Sequence, residues 1–147
     1  MLHVYEFEIF EEDGWFLAFP YDFEGATQGE TFKDACEMAA DWLQTEIEHR
    51  EIHGIPLPEA TFGNEPENGG KVVIVAVSAD KSTVPRVTLA EAARRLGVSR
   101  ARVTQMVSSG QLESFELDGR TWVTEGSVSA RLEERPSAGR PRKTAMA

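Results

Sequence analysis

Polar, basic and small residues between positions 99 and 108 have the types and spacing of a helix that contacts nucleic acid. Val103, Met106 and Val107 fall on one side of such a helix and would point inward. The opposite side then carries hydrogen-bonding and cationic groups. The amide of Gln105 can pair with both hydrogen-bonding groups of adenine, and arginine can pair with guanine or with phosphate. The predicted contacts on this helix are Ser99, Arg100, Ala101, Arg102, Thr104, Gln105 and Ser108.

Further basic residues flank this segment and suit contacts with a DNA backbone. Arg94, Arg95 and Arg120 are placed for phosphate, which positions a protein without selecting a base sequence. Residues 136–147 have a disordered composition, and GRPRK within them resembles an AT-hook core, which lies in narrow A·T minor grooves. Stronger hooks carry arginine where this chain has Ala138, so a basic tail attracted by phosphates is the alternative. The tail residues concerned are Arg140, Arg142 and Lys143.

The predicted contact helix must be held by neighbouring elements, and the surrounding sequence supplies them. Thr88 and Glu91 fit the capping box at the start of a short helix, which ends at Gly97. The apolar stripe of that helix is Leu89, Ala92, Ala93 and Leu96. Two short helices joined by a glycine-centred turn indicate a helix-turn-helix. A hairpin with an Asp-Gly turn follows at residues 114–123, and a last helix covers about residues 125–135.

Helix-turn-helix, hairpin and helix in this order resemble the small winged DNA-binding domains of the MerR and excisionase families. The likeness rests on LAEAARRLGVSRARVTQMVSSGQL and the later DGRTWV, and it covers residues 87–135. It implies that the second helix enters the major groove and that the hairpin acts as a wing. A similar pattern in a protein that does not bind DNA is the alternative. Met106 and Trp122 are expected in the core rather than at a DNA contact.

Charge divides the chain into two halves that suit partners of opposite sign. The whole chain has 25 acidic and 15 basic residues, a net charge of −10. Residues 1–80 hold 18 acidic and 3 basic residues (−15), and residues 81–147 hold 7 acidic and 12 basic residues (+5). The second half can therefore approach nucleic acid, whereas the first half would be repelled by it and would suit a basic partner. The alternative for the first half is that its charge only keeps a small domain in solution.

The first half predicts a small layer of strands with one helix. HVYEFEIF is a half-buried strand in which Glu6 and Glu8 alternate with the apolar residues, and WFLAF after an Asp-Gly turn completes a hairpin. GATQG is a short extended piece, and Thr31 caps an amphipathic helix that ends at HGIPLP. KVVIVAVS is a buried strand, so the predicted order is strand, strand, strand, helix, strand.

This half resembles the HicB antitoxin family. The likeness is carried by DGWFLAFPYDFEGATQGETFKDACEMAADWLQ (13–44) and IPLPEATF (55–62), and it covers most of residues 3–79. The family's usual Asp-Leu-Pro-Gly-Cys step is Asp-Phe-Glu-Gly-Ala at residues 22–26, a change that should preserve the fold but could alter the choice of partner. The resemblance implies a ribonuclease-H-like sheet without catalytic activity, and a partner that is a small, basic, RNA-cleaving toxin similar to HicA.

Other reactive residues of the first half are expected to be structural. His49 and His53, with an acid three residues before them, have ligand spacing, but the helix ends there and a solvated helix end is expected. Cys36 lies on the apolar stripe of the helix and is expected in the core. Glu6 and Glu8 share a strand face but lack the further acids of a two-metal nuclease. We therefore expect no metal, no cofactor and no enzyme activity.

The sequence thus predicts an α+β protein: a β-β-β-α-β HicB-like domain at residues 1–79, a linker at 80–86, a winged helix-turn-helix domain at 87–135 and a disordered basic tail at 136–147. The expected function is an antitoxin that neutralises a HicA-like toxin and represses its own operator. The alternative is an orphan DNA-binding regulator. Because helix-turn-helix proteins bind paired half-sites, a homodimer or tetramer is expected, joined through free strand edges of the first domain. One cysteine, no signal peptide and no long apolar run predict a cytoplasmic protein.

Overall fold

The computed structural model describes residues 1–134 and confirms a mixed α+β fold. The chain divides into two compact units, Met1–Thr83 and a second that begins at Val84. Each unit has its own cluster of buried apolar side chains, so each is described separately. In this part of the chain, no helix combines the length and the apolar character that crossing a membrane requires.

The first unit is an antiparallel sheet with one long helix packed on it. In chain order its elements are β1 (Leu2–Glu12), β2 (Trp15–Pro20), β3 (Thr27–Gly29), α1 (Phe32–His53), β4 (Lys71–Ser78) and a 3-10 turn (Lys81–Thr83). The four strands are ordered β3-β2-β1-β4, so β3 and β4 are the two edges. The core lies between α1 and one face of the sheet, where Phe7, Ala18 and Leu43 are fully buried.

Local sequence explains where these elements begin and end. The β1–β2 hairpin turns at Asp13 and Gly14, whose φ values of 53° and 82° suit the twist of a two-residue hairpin turn. α1 begins where the sequence predicts, because the Thr31 hydroxyl accepts a hydrogen bond from the Asp34 N–H at 3.0 Å. It ends at Gly54, which adopts the left-handed conformation that glycine tolerates best.

The step that departs from the HicB pattern is accommodated by the core. Phe23 is buried, and its ring makes edge contacts with Tyr5 and Trp42, at 4.7 and 5.8 Å between ring centroids. The Arg50 guanidinium lies over the same ring at 5.2 Å. The aromatic side chain at this position therefore joins β1 to α1 through packing.

Close approach between β3 and the start of α1 requires glycine at position 29. A Cβ atom on Gly29 would lie 2.4 Å from the backbone nitrogen of Ala35 and 2.7 Å from the carbonyl carbon of Asp34. These are helix backbone atoms, which cannot move aside as the end of a side chain can. The glycine that closes Thr-Gln-Gly therefore lets the helix dock on the strand.

Glu6 and Glu8 are buried, which corrects the prediction that β1 is a half-buried strand with these acids on its open face. Their exposed fractions are only 5% and 2%. The loop that precedes β4 covers them, and their carboxylates accept hydrogen bonds from it. Glu6 accepts from the backbone N–H groups of Gly63 and Asn64 and from the Asn64 side-chain amide. Glu8 accepts from the backbone N–H groups of Glu67, Asn68 and Gly70 and from the Asn68 side-chain amide. Alternation along one strand cannot reveal a loop that folds back from a distant part of the chain.

These two carboxylates should make the first unit less stable in acid. Hydrogen bonds from the backbone and side chain of Asn64 lower the pKa of Glu6. Burial alone would raise the pKa of Glu8, but its hydrogen bonds from Asn68, Gly70 and Glu67 together outweigh burial and lower it. A carboxylate with a lowered pKa stabilises the fold above its ordinary value of about 4.3. That contribution is lost as the pH falls through the lowered value.

Glu8→Gln separates this charge effect from simple burial. We expect the variant to melt below the wild type at about pH 7, and the difference to shrink as the pH falls below about 4.3 toward the lowered pKa of Glu8, because the wild-type carboxylate then becomes protonated as well. Thermal unfolding followed by circular dichroism measures both. Glu37→Gln on the exposed side of α1 is the control and should change little. A difference that stayed constant across this range would contradict the role assigned to the Glu8 carboxylate.

The second unit packs short helices on a small sheet. Its elements are β5 (Arg86–Thr88), α2 (Leu89–Leu96), α3 (Arg100–Ser108), β6 (Ser114–Leu117), β7 (Arg120–Thr124) and α4, a helix over residues 125–134. The strands are antiparallel in the order β5-β7-β6. Leu96 from α2, Val103 from α3, Val123 from β7 and Val128 from α4 meet in its core.

The segment at residues 80–86, whose composition predicts a linker, contains regular structure near its start and at its end. The 3-10 turn occupies Lys81–Thr83, and Arg86 begins β5, pairing with Thr124 of β7. The division between the two units falls after Thr83. A strand of three residues is too short to show an alternating pattern, so the sequence does not reveal it.

Candidate functional site

α3 exposes the residues that the sequence predicts as nucleic-acid contacts. Ser99 caps the helix, its hydroxyl accepting a hydrogen bond from the Arg102 N–H at 3.1 Å. Val103 and Met106 are buried, which fixes the outward side of the helix. The exposed residues of this segment include Ser99, Arg100, Ala101, Arg102, Thr104, Gln105 and Ser108. A ligand that approaches the unit from this side would therefore meet these side chains first.

The exposed side chains of α3 differ in whether their polar groups already form hydrogen bonds within the protein. The Thr104 hydroxyl donates to the Arg100 carbonyl at 3.2 Å, and the Arg102 guanidinium donates to the Gln105 amide oxygen at 3.4 Å. Within residues 1–134, the Gln105 amide nitrogen and the Arg100 guanidinium have no hydrogen-bond partner. These two groups are the ones most available to a ligand.

Arg100 and Arg120 line one groove although they are distant in sequence. The groove has a volume of about 370 Å³, and its other lining residues are Thr88, Leu89, Ala90 and Thr121. Neither guanidinium forms an ion pair with a carboxylate in the described part of the chain. Because a guanidinium matches two oxygens of a phosphate at once, a pair of them at one groove is suited to binding a phosphate.

Trp122 positions Arg120 at this groove. Asp118 and Gly119, with φ values of 52° and 74°, form the tight turn between β6 and β7. The guanidinium carbon of Arg120 lies 5.0 Å from the Trp122 ring centroid, and that of Arg86 lies 4.8 Å from it. Trp122 is only half-buried, so the expectation of a core tryptophan is met in part. Its main contact with the site is a cation–π contact that holds Arg120 in place.

Arg94 and Arg95, which the sequence suggests as phosphate contacts, are paired with carboxylates. Both donate to Glu91, and Arg95 also donates to Glu125 at 3.2 Å. The hydrogen bond from Arg94 lowers the pKa of Glu91, and the hydrogen bond to Glu125 raises the pKa of Arg95. Exposed ion pairs are weak enough for a phosphate to compete with them. Arg94 and Arg95 therefore remain predicted contacts, but with less uncompensated charge than Arg100 or Arg120.

Positive charge in the second unit is concentrated rather than uniform. Residues 84–134 hold seven acidic and seven basic residues, so this part has no net charge. α3 nevertheless contains two arginines and no acid. Of the net charge of +5 in residues 81–147, four positive charges lie in residues 135–147 and one is Lys81. The predicted contacts Arg140, Arg142 and Lys143 lie outside the described residues.

The histidines and the cysteine of the first unit are engaged in structural contacts. Glu46, which precedes the two histidines, accepts a hydrogen bond from Arg50 at 2.7 Å. His53 Nδ1 lies 2.8 Å from the carbonyl oxygen of His49. Cys36 packs half-buried against the core, and burial raises the pKa of its thiol. A protonated thiol is a poor nucleophile and a poor metal ligand.

Sequence patterns identify Arg100 and Arg120 separately but miss the groove that joins them. The spacing of Arg120 and Trp122 on β7 contains a usable signal, because residues two apart on a strand project from the same face. The contact of Arg86 with the Trp122 ring is not predictable, because β5 is too short to be recognised in the sequence. The groove depends on how β7 meets the first turns of α2 and α3, and no local pattern encodes that.

Comparisons with known proteins give one curated relative. No protein-family model matches this sequence. Over 98 residues the chain is 33% identical to a protein called Antitoxin HicB 1 from Photorhabdus laumondii subsp. laumondii. The match covers 65% of this chain, and the chain spans only 63% of the relative's length. A chain of a solved toxin–antitoxin complex from Streptococcus pneumoniae has a TM-score of 0.49 and 15% identity, over 76% of this chain and 99% of that chain.

Proposed function

We propose that this chain is a non-enzymatic antitoxin that binds a basic toxin through its first unit and represses its own promoter through its second unit. The observation that carries the proposal is the separation of charge between two units with separate cores. Residues 1–83 have 18 acidic and 4 basic residues, a net charge of −14, whereas α3 has two arginines and no acid. The likeness to Antitoxin HicB 1 supports the antitoxin part.

On this proposal the second unit is a winged helix-turn-helix. α2 and α3 are the two helices, joined through Gly97, and the β6–β7 hairpin is the wing. α3 enters the major groove, where Gln105 meets base edges. Arg100 and Arg120 then bind a phosphate at the groove between helix and wing, which sets the position of α3 without selecting a sequence. The tail arginines and Lys143 would add backbone contacts.

The first unit would attract the toxin and exclude DNA. Its net charge of −14 raises the rate at which a basic protein associates and repels phosphates. Glu6 and Glu8, the acids that share a strand face, are both saturated with hydrogen bonds from the covering loop. Their role is therefore structural, in keeping with a binding protein of the cytoplasm rather than a nuclease.

Pairs of chains would associate through the sheet of the first unit. β4 is an edge strand of eight residues whose only charged residue is Lys71, at its start. Ile74 in its middle is 66% exposed. An edge with so little charge offers its free N–H and C=O groups to a strand of another chain. A two-fold pair, alone or assembled further into a tetramer, would present two copies of α3 to paired half-sites on DNA.

Growth and reporter assays test the two activities together. Expression of a small basic toxin similar to HicA should arrest growth, and co-expression of this chain should restore it. A reporter driven by the chain's own promoter should be repressed in the same cells. The double variant Arg100→Ala/Arg120→Ala is the matched control, because it should still restore growth while failing to repress. Repression without any effect on growth would instead favour the orphan regulator.

A further inference from the structure

The face of the first sheet opposite α1 carries a connected row of apolar side chains. Ala18 is fully buried in the core against α1, so Trp15, Leu17 and Phe19 project from the other face of β2. Phe10 lies opposite Leu17 in the β1–β2 ladder, and its ring centroid is 5.4 Å from that of Phe19. Phe10, Trp15, Leu17 and Phe19 are called the aromatic stripe below.

Two large side chains of the aromatic stripe are exposed. Trp15 is 43% exposed and Phe19 is 41% exposed, whereas Phe7 on the opposite face of the sheet is fully buried. Phe10 and Leu17 are half-buried beneath them. A connected apolar surface that is bordered by polar residues usually marks a site of protein interaction.

Acidic residues border the aromatic stripe at the hairpin end. Glu12 lies opposite Trp15 in the β1–β2 ladder, and Asp13 follows it in the turn. Both side chains are exposed. Two of the four basic residues of the unit, Lys33 and Arg50, are on α1 and thus on the other side of the sheet.

Acidic residues also border the other end of the stripe. Glu8 lies opposite Phe19 and accepts a hydrogen bond from the backbone N–H of Glu67. The Tyr21 hydroxyl donates to the backbone carbonyl of Glu65, so the loop that carries Glu65 and Glu67 is held near this end of the stripe. Burial raises the pKa of Tyr21, and the carboxylates of Glu8, Glu67 and Glu65 raise it further.

We propose that the aromatic stripe is the surface on which the basic protein partner docks. Apolar residues at the centre with charged residues at the rim are the usual arrangement of a protein interface, and tryptophan is among its strongest anchors. The acidic rim selects a basic occupant. A second copy of this chain, which the nearly uncharged β4 edge suits better, would bring its own acidic residues against this rim, and nucleic acid would be repelled. This inference rests on the proposed function.

Calorimetric titration of the full-length chain with the basic toxin whose growth arrest this chain relieves tests the stripe. We expect Trp15→Ala to weaken binding by about 100-fold and Phe19→Ala by about tenfold or more. Ile55→Ala is the matched control, because Ile55 is 42% exposed but follows α1, away from the stripe. It should bind like the wild type. Thermal unfolding of each variant checks that the fold is retained.

The rim is tested separately through Glu12→Gln/Glu67→Gln. Glu12 is exposed at the end of β1 and Glu67 is exposed in the loop that precedes β4, so folding should be unaffected. We expect a slower association rate and a weaker dependence on salt, with a smaller loss of affinity than Trp15→Ala causes. Unchanged association kinetics would contradict the role of the acidic rim.

The outcomes distinguish the docking surface from the proposed function. If the wild type binds the basic protein and Trp15→Ala binds it equally well, the stripe is not the docking surface although the function stands. If the wild type does not bind, both proposals are wrong. If Trp15→Ala instead separates chain dimers in sedimentation while keeping the basic partner, the stripe serves self-association and the docking proposal is overturned.

Discussion

Gly29→Ala is expected to destabilise the first unit by about 3 kcal/mol or more. The added Cβ would lie 2.4 Å from the backbone nitrogen of Ala35, a distance that van der Waals repulsion forbids. Either β3 must leave the sheet or the first turn of α1 must lift from it. Both changes open the core around Ala35, which is fully buried. Relaxation of a flexible side chain cannot relieve a clash with helix backbone.

Urea unfolding followed by circular dichroism measures this effect. Gly54→Ala is the control, since nothing lies within 4 Å of the added methyl group and only its φ of 67° is unfavourable. That backbone strain costs about 1–2 kcal/mol. Similar midpoints for Gly29→Ala and Gly54→Ala would contradict the close contact between β3 and α1.

The double variant Arg100→Ala/Arg120→Ala is expected to bind the chain's own promoter about 100-fold more weakly. Each unpaired guanidinium at the groove would neutralise one phosphate, so the slope of log K against log salt should become shallower by about two. Random duplex should be affected about as much as promoter duplex, because phosphate contacts carry no base preference. Binding isotherms on both duplexes at several salt concentrations measure these quantities.

Gln105→Ala provides the contrasting result. Losing a contact to a base edge should cost about 1–3 kcal/mol on the promoter, relax the preference at one base position and leave random duplex unaffected. Arg94→Ala is the matched arginine control, with a smaller effect because Glu91 already pairs with Arg94. If Gln105→Ala weakened both duplexes alike while the double variant changed base preference, the assignment of base reading to Gln105 and of phosphate binding to Arg100 and Arg120 would be wrong.

Periodic patterns and caps predict most of the elements of both units. The Thr31 and Ser99 caps, the glycine that ends α1 and the Asp-Gly turns each act through a few adjacent residues, so the sequence displays them directly. The HicB likeness of residues 13–44 and 55–62 likewise agrees with the 33% identity to Antitoxin HicB 1. The outward face of α3 follows from its two buried residues in the same local way.

Features that depend on distant segments are not predictable by these means. Glu6 and Glu8 are buried because a loop from much later in the chain folds over them. Asn64 contacts Glu6 across 58 residues of sequence, and Asn68 contacts Glu8 across 60. An alternating strand with acids on one face predicts exposure in the absence of that loop. The groove at Arg100 has the same origin, because β7 brings Arg120 to it from outside the helix pair.

The separation of toxin binding from DNA binding is tested most directly by titrating residues 1–83 and residues 84–147 separately. Each half contains one complete apolar core, so each should fold alone. We expect residues 1–83 to bind the basic partner and no duplex, since their net charge of −14 repels phosphate. Residues 84–147 should bind promoter duplex, with weaker affinity than the assembled chain, and should not bind the partner. Duplex binding by residues 1–83 would contradict the separation.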